Sequence, residues 1–398
     1  MSELGRGTIL LLALVCGVAV GNLYLPQALT PLVAADLRVP MDTASVAVTA
    51  TQFGYAAGIF LLVPLGDRLP NRRLLVSLLT MAAASLFAAA AAPSLPTLVA
   101  ASALVGLTTV ASPVIGPLAA GLVAANRMGA VSGTLLSGAI GGILLARAAA
   151  GALGERLGWR VPYLAAAVLT LLAAALLARI VPDTAPRTRQ RCPAMLVEPL
   201  KLLRREPELR RSCLYQACVF AGFSAVWTSL PQLLTGPTYG LTTDAVGALG
   251  LLSAATMICA PLAGRMADRA GPDPVNLACL LGTIASAAVL AAGTLGGVAG
   301  MITITLGVLL LDVTLQSGMT ANVTRIYAIS PDSRLNTAYM TCAFLGGSAG
   351  SWLGARLYAD LGWAGVSALV AVTAAIALAR HLVTSAAHTA PPTPKALL

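Results

Sequence analysis

Charged side chains are scarce in this sequence. They make up 10% of its 398 residues, whereas soluble domains carry about 25%, so a water-soluble globular chain is excluded. Histidine is nearly absent: His381 and His388, the only two, stand at the C-terminal edge, and no constellation for acid–base or nucleophilic catalysis can be assembled around them. The seven cysteines are scattered singly, without the paired spacing of metal ligands, and read as small core residues. No G-x-x-x-x-G-K-S/T loop occurs, which removes an ATP-driven pump. Neither an enzyme nor a cofactor or metal is expected.

What is present is apolar surface: 58% hydrophobic residues and a mean hydropathy of +0.85. Runs long enough to cross a hydrocarbon core of roughly 30 Å as helices recur about twelve times, from 8–33 at the start to 363–384 at the end. The first run, after Arg6, continues to Val33 without a small-x-small cleavage site, and reads as a membrane span instead of a signal peptide. The expectation is an all-α integral membrane protein with 12 transmembrane helices, multi-pass in the cell (cytoplasmic) membrane.

Basic residues set the orientation. With the N-terminus placed in the cytoplasm, 20 of the 25 Lys and Arg residues fall in inside loops, four fall outside and Arg147 lies within a span. That satisfies the positive-inside rule and puts both termini in the cytoplasm. The net charge of +10 is then a topology signal, and nucleic acid is not an expected partner. The longest loop contains "RTRQRC" and "KLLRREPELRR"; its second part reads as a basic amphipathic helix on the inner leaflet or as a solvated connector. It divides the chain into an N-terminal six-helix bundle (1–181), a linker (182–211), a C-terminal six-helix bundle (212–384) and a disordered cytoplasmic tail (385–398).

The two halves repeat one another. "LPQALTP" from Leu25 returns as "LPQLLTGP" from Leu230, 205 positions on; Asp67-Arg68 returns as Asp268-Arg269, 201 on; "LGW" at Leu157 returns at Leu361, 204 on. Three marks at nearly one offset indicate a duplicated six-helix unit, the parallel repeat found in secondary transporters. "GRMADRAG" (Gly264 to Gly271) fits a Gly-x-x-x-Asp-Arg-x-Gly signature, and "VPLGDRLPNRR" (Val63 to Arg73) is its first-half counterpart, with Val63 and Pro70 at the glycine positions. With "LLARAAAG" (Leu144 to Gly151), "GWR" (Gly158 to Arg160) and the stretch Leu309 to Thr341, the chain resembles the major facilitator superfamily, in its actinobacterial, twelve-span drug:proton antiporter-like branch. The resemblance implies two six-helix bundles that rock about a central site. It also implies gating loops at Asp67, Arg68, Arg72, Arg73, Gly264, Asp268, Arg269 and Gly271, forming a latch between the bundles; a plain turn is the alternative.

One carboxylate stands apart. Among the acidic residues only Asp312 lies well inside a span, where an ionised carboxylate costs roughly 2.5–3.5 kcal/mol even on insertion scales. Desolvation favours its protonated form and a nearby cation its ionised form, the competition a proton carrier needs. Thr305, Asp312 and Gln316 fall within about 40° on a helical wheel. Asp312 is therefore a proton-coupling candidate, with a structural carboxylate as the alternative. Arg147 is the one deep basic residue, on a helix face that mixes Leu136 and Ile140 with Gly133 and Gly151, so its direction is open. Many drug antiporters of the resembled branch carry an Arg in the fourth span; here Ser102 stands near that place, and Arg147 is the second coupling candidate, with a structural or snorkelling role as the alternative. Tyr24, Gln27, Gln52, Tyr55, Gln216, Phe220, Phe223, Trp227 and Gln316 form the candidate substrate cavity, since rings with a few amides suit a lipophilic solute with some polar groups.

The expected function is proton-coupled efflux of small organic molecules by alternating access, acting as a monomer with protons, a small-molecule substrate and the lipid bilayer as partners. Proton-coupled uptake of a nutrient is the alternative, and a membrane sensor that does not transport is the third reading.

Overall fold

The computed structural model describes residues 5–120, 123, 127–181, 192–254, 259–330 and 333–389, and no strand occurs among them. The first half comprises α1 (Arg6–Asn22), α2 (Leu25–Leu37), α3 (Met41–Ala44), α4 (Val46–Leu62), α5 (Asn71–Ala90), α6 (Leu95–Thr108), α7 (Ala111–Ala120), α8 (Met128–Leu157) and α9 (Arg160–Ile180). After α10 (Cys192–Arg205) come α11 (Pro207–Thr235), α12 (Thr243–Leu252), α13 (Cys259–Ala270), α14 (Pro272–Ala291), α15 (Gly297–Ile329) and α16 (Ser333–Thr389). Ten described helices or helix pairs are long and apolar enough to cross a membrane. One of these, α16, makes two passes because the chain reverses at Gly362, whose φ is 65°. The eighth pass is described in two pieces, α12 and α13, on either side of residues 255–258. The chain thus crosses the membrane twelve times as two bundles of six.

Proline explains the broken first span. Pro26 has no N–H to give the carbonyl of Asn22, and the helix interrupts at Leu23 and Tyr24 before α2 begins. Its repeat counterpart Pro231 lies inside α11 and by the same arithmetic frees the carbonyl of Trp227. The recurring "LGW" is equally physical. Gly158 and Gly362 both adopt positive φ, a conformation that costs glycine nothing, and each following indole anchors the turn. Trp159 donates to Asp36 Oδ2 at 2.8 Å, and Trp363 donates to the Leu290 carbonyl at 2.7 Å.

Helix pairing follows the duplication. In the first half α1 packs on α8, α4 on α6 and α5 on α9; in the second α11 packs on α16, α13 on α15 and α14 on α16. Small residues let these backbones meet. A Cβ on Gly142 would lie 2.1 Å from the Gly17 carbonyl oxygen, and one on Gly350 would lie 2.0 Å from that of Ala221.

The linker is described in part. Its beginning, 182–191, lies outside the described residues, as does the end of the expected tail, 390–398. Its second part is helical, as α10, and Leu202 and Leu203 pack on a cluster of Leu209, Ile326 and Leu335. That end of the molecule is the linker side; the other is the far side.

Arg211 and Arg325, counted from sequence as loop residues, are instead buried. Each pairs with Asp273 and Glu208: Arg211 lies 2.7 Å from Asp273 Oδ1, and Arg325 Nε lies 3.4 Å from Glu208 Oε2. His381, expected at a chain edge, is buried as well, its Nδ1 3.4 Å from Arg211 Nη2. The acidic side chains remain partly exposed, so the cluster keeps one edge in water while it ties α11, α14, α15 and α16 together.

Candidate functional site

Arg147 points into the interface between the halves. Small residues on α12 make room for it: a Cβ on Gly250 would stand 3.3 Å from Arg147 Cβ, and one on Gly247 would stand 2.9 Å from Ala148 Cα. The side chain is 2% exposed. Its Nε–H donates to Gln27 Oε1 at 3.1 Å, and its guanidinium carbon lies 3.7 Å from the centre of the Trp227 ring, 4.7 Å from that of Tyr24 and 5.7 Å from that of Phe223. A desolvated guanidinium over an indole gains about 2 kcal/mol. Gln27 and Tyr24 flank Pro26 at the start of α2.

Asp312 of α15 meets the Nε1 edge of the same indole. Trp227 Nε1–H donates to Asp312 Oδ1 at 3.4 Å, a long hydrogen bond, and Ser253, just after α12, borders the carboxylate. Asp312 is 5% exposed. The two charges stay apart: among the described residues no carboxylate approaches Arg147 within ion-pair distance. Instead Trp227 contacts both, its ring face against a cation from the first half and its Nε1 edge toward an anion of its own half. Three polar atoms of this group are buried without a hydrogen-bond partner: Arg147 Nη2, Gln27 Nε2 and Asp312 Oδ2.

Rings continue the wall toward the linker side. Trp227 leads to Phe223 (centroids 6.2 Å apart), Phe223 to Phe220 (5.6 Å), Phe220 to Phe344 (4.9 Å), and Phe344 to Tyr55 of the opposite half (4.5 Å). One helical turn beyond Tyr55 and Phe344, at Ile59 and Met340, a cavity of about 640 Å³ opens between the halves, lined also by Asp67, Ser112, Ser132 and Arg334. The far side is closed. There Glu155 Oε2 accepts the Thr243 hydroxyl at 2.5 Å and its backbone N–H at 3.3 Å, and Thr49 donates to Ser351 at 3.1 Å.

Of the residues singled out from sequence, Tyr24, Gln27, Arg147, Phe223, Trp227 and Asp312 meet in one group, and Phe220 and Tyr55 join it through rings. Gln216 is instead engaged by the Tyr339 hydroxyl at 2.9 Å. Gln52 is buried in α4 with its carbonyl oxygen unpartnered, and half-buried Gln316 makes no hydrogen bond from its side chain among the described residues. The gating residues divide. Asp67 lines the cavity, Arg72 is half-buried, and Arg68, Arg73, Asp268 and Arg269 are exposed. Gly264 faces Thr320 of α15, 3.6 Å from where a Cβ would stand, and Gly271 takes φ 82° at the turn into α14. Pro70 makes the equivalent turn in the first half, at the head of α5. Phe344, Ser253 and the Glu155–Thr243 contact had no signal in the sequence.

Residues 10–328 match the family described as Major Facilitator Superfamily. The chain is 36% identical over 366 residues to a protein of Escherichia coli K12 named "Putative uncharacterized transporter YgaY", covering 92% of each. It is 30% identical over 263 residues to a chloramphenicol resistance protein of Streptomyces lividans, covering 65% of this chain and 66% of that one. Among solved structures, a peptide transporter POT in complex with sulfate superposes with a TM-score of 0.74 at 16% identity, covering 98% of this chain and 96% of the other.

Proposed function

The chain belongs to the Major Facilitator Superfamily as a multi-pass membrane transporter, and from its centre we propose that it exports small organic molecules in exchange for protons. The observation that carries this reading is the Arg147–Trp227–Asp312 group, which spans both halves without a direct ion pair. A carboxylate at that depth is tolerated when it is compensated or protonated; Trp227 and Ser253 travel with Asp312 in its own half, whereas the nearby cation, Arg147, belongs to the other half and moves away when the halves rock. The competition between desolvation and a nearby cation therefore changes with each half-cycle. Asp312 takes a proton while the centre faces outward, the halves rock, and cargo displaces the proton on the cytoplasmic side. Basic residues concentrated on the linker side support placing that side in the cytoplasm, which makes the described state inward-facing. The chloramphenicol resistance relative supports export over uptake.

The test is proton movement in inverted membrane vesicles holding an imposed pH gradient, on addition of neutral, cationic and zwitterionic probes: chloramphenicol, ethidium and L-phenylalanine. The expected result is gradient dissipation by at least one probe with the wild type and none with Asp312→Asn. A silent wild type, or an Asp312→Asn variant that dissipates the gradient equally, overturns the reading.

A further inference from the structure

The unpartnered atoms of the centre describe the chemistry of its cargo, and this inference rests on the reading of that centre as the transport site. Arg147 Nη2 and Gln27 Nε2 are donors, Asp312 Oδ2 is an acceptor, and all three are buried without a hydrogen bond. A buried donor or acceptor left unmade is destabilising, so three of them converging on one interface between moving halves mark groups kept for a ligand. The donors belong to the first half and the acceptor to the second, and Trp227 touches the residues that carry Arg147 Nη2 and Asp312 Oδ2. Between and around them are the faces of Tyr24, Phe223 and Trp227.

Charge decides what fits. The guanidinium and the ionised carboxylate sum to zero, and Tyr24 is the other titratable side chain that faces both. A simple cation entering this centre would satisfy Asp312 and leave Arg147 facing it; a simple anion would do the reverse. Each leaves a charge uncompensated where water is excluded, the costly case. We propose that the centre binds molecules of zero net charge that carry a hydrogen-bond acceptor for Arg147 and Gln27, a donor for Asp312, and an aromatic or apolar body between them: zwitterions and neutral amides. Such a cargo engages the carboxylate through its own donor, so it competes with the proton at the same oxygen.

The test is binding to the purified full-length protein, read by thermal shift and by tryptophan quenching, with probes that share one ring. L-phenylalanine carries both charges, 2-phenylethylammonium lacks the carboxylate and 3-phenylpropanoate lacks the ammonium; chloramphenicol is the neutral amide. The expected result is that L-phenylalanine or chloramphenicol binds at least about 30-fold tighter than either singly charged probe, the size set by leaving one buried charge unpaired. Arg147→Gln, which removes the positive charge and leaves the carboxylate of Asp312 alone, is expected to shift the preference toward 2-phenylethylammonium. Equal or tighter binding of a singly charged probe, or binding of neither dipolar probe, overturns the proposal, and the wild-type comparison needs no variant to fold. The outcome is separable from that of proton exchange: ethidium-driven proton movement without dipolar binding overturns the cargo class alone, and dipolar binding without proton movement overturns the coupling alone.

Discussion

Arg147 and Trp227 belong to different halves of the molecule, yet the guanidinium carbon of one lies 3.7 Å from the ring centre of the other. The same indole donates to Asp312, so a single side chain touches both membrane-buried charges. Replacing it separates the two contacts. Trp227→Phe keeps a ring under the guanidinium and loses the long hydrogen bond, an expected loss of about 1 kcal/mol. Trp227→Leu removes both and leaves space, an expected loss of about 3 kcal/mol or more. Thermal unfolding of the purified proteins in one detergent checks the order.

Glu155 closes the far side by accepting from Thr243, whose backbone N–H is at the head of α12. A carboxylate in that position acts as a cap borrowed from the opposite half, and loss of a cap costs about 0.5–2 kcal/mol. Glu155→Ala is therefore expected to shift the population toward a far-side-open state. Spin labels at exposed Leu157 and Leu241 report it as growth of a longer-distance component, and an unchanged distance distribution contradicts it.

The seam between α1 and α8 has no room for side chains. Gly142→Ala would place its methyl 2.1 Å from the Gly17 carbonyl oxygen, and overpacking of this kind costs about 1–3 kcal/mol. Gly129→Ala, on the same helix with nothing within 4 Å of the new atom, is expected to leave the unfolding temperature unchanged or raise it.

Much of this architecture is legible in the chain, and the reasons differ by residue. The repeated prolines and "LGW" motifs could be read because a missing N–H and a positive φ act locally, wherever the sequence places them. Asp312 and Arg147 stood out because a charge in an apolar run has a cost whatever surrounds it. Their relationship was not readable, since it depends on which way α8 turns, and that is set by Gly247 and Gly250 some hundred positions away. Phe344 looked like any apolar residue of its span until the opposite half brought Tyr55 against it. Arg211 and Arg325 misled for a related reason: basic residues near span ends resemble topology signals, and only the fold brings Asp273 and Glu208 to them.

That cluster makes its own prediction. Asp273 is half exposed but serves two guanidiniums that are almost wholly buried, so Asp273→Asn leaves both short of compensation. The expected loss is about 1–3 kcal/mol, reduced from the fully buried case by the water at its edge. Asp36→Asn, which breaks the exposed pair with Arg160, is expected to shift the unfolding temperature much less. Paired unfolding curves for the two variants check the contrast.

If Asp312 couples cargo movement to protons, proteoliposomes holding Asp312→Asn separate coupled from uncoupled movement. Two modes are compared, using whichever probe moves protons in vesicles: accumulation driven by a pH gradient, and exchange of labelled for unlabelled probe with no gradient. A permanently neutral side chain at this position is expected to abolish gradient-driven accumulation and preserve exchange. Accumulation that survives in the variant at the wild-type level would rule out Asp312 as the coupling residue and place the proton site elsewhere.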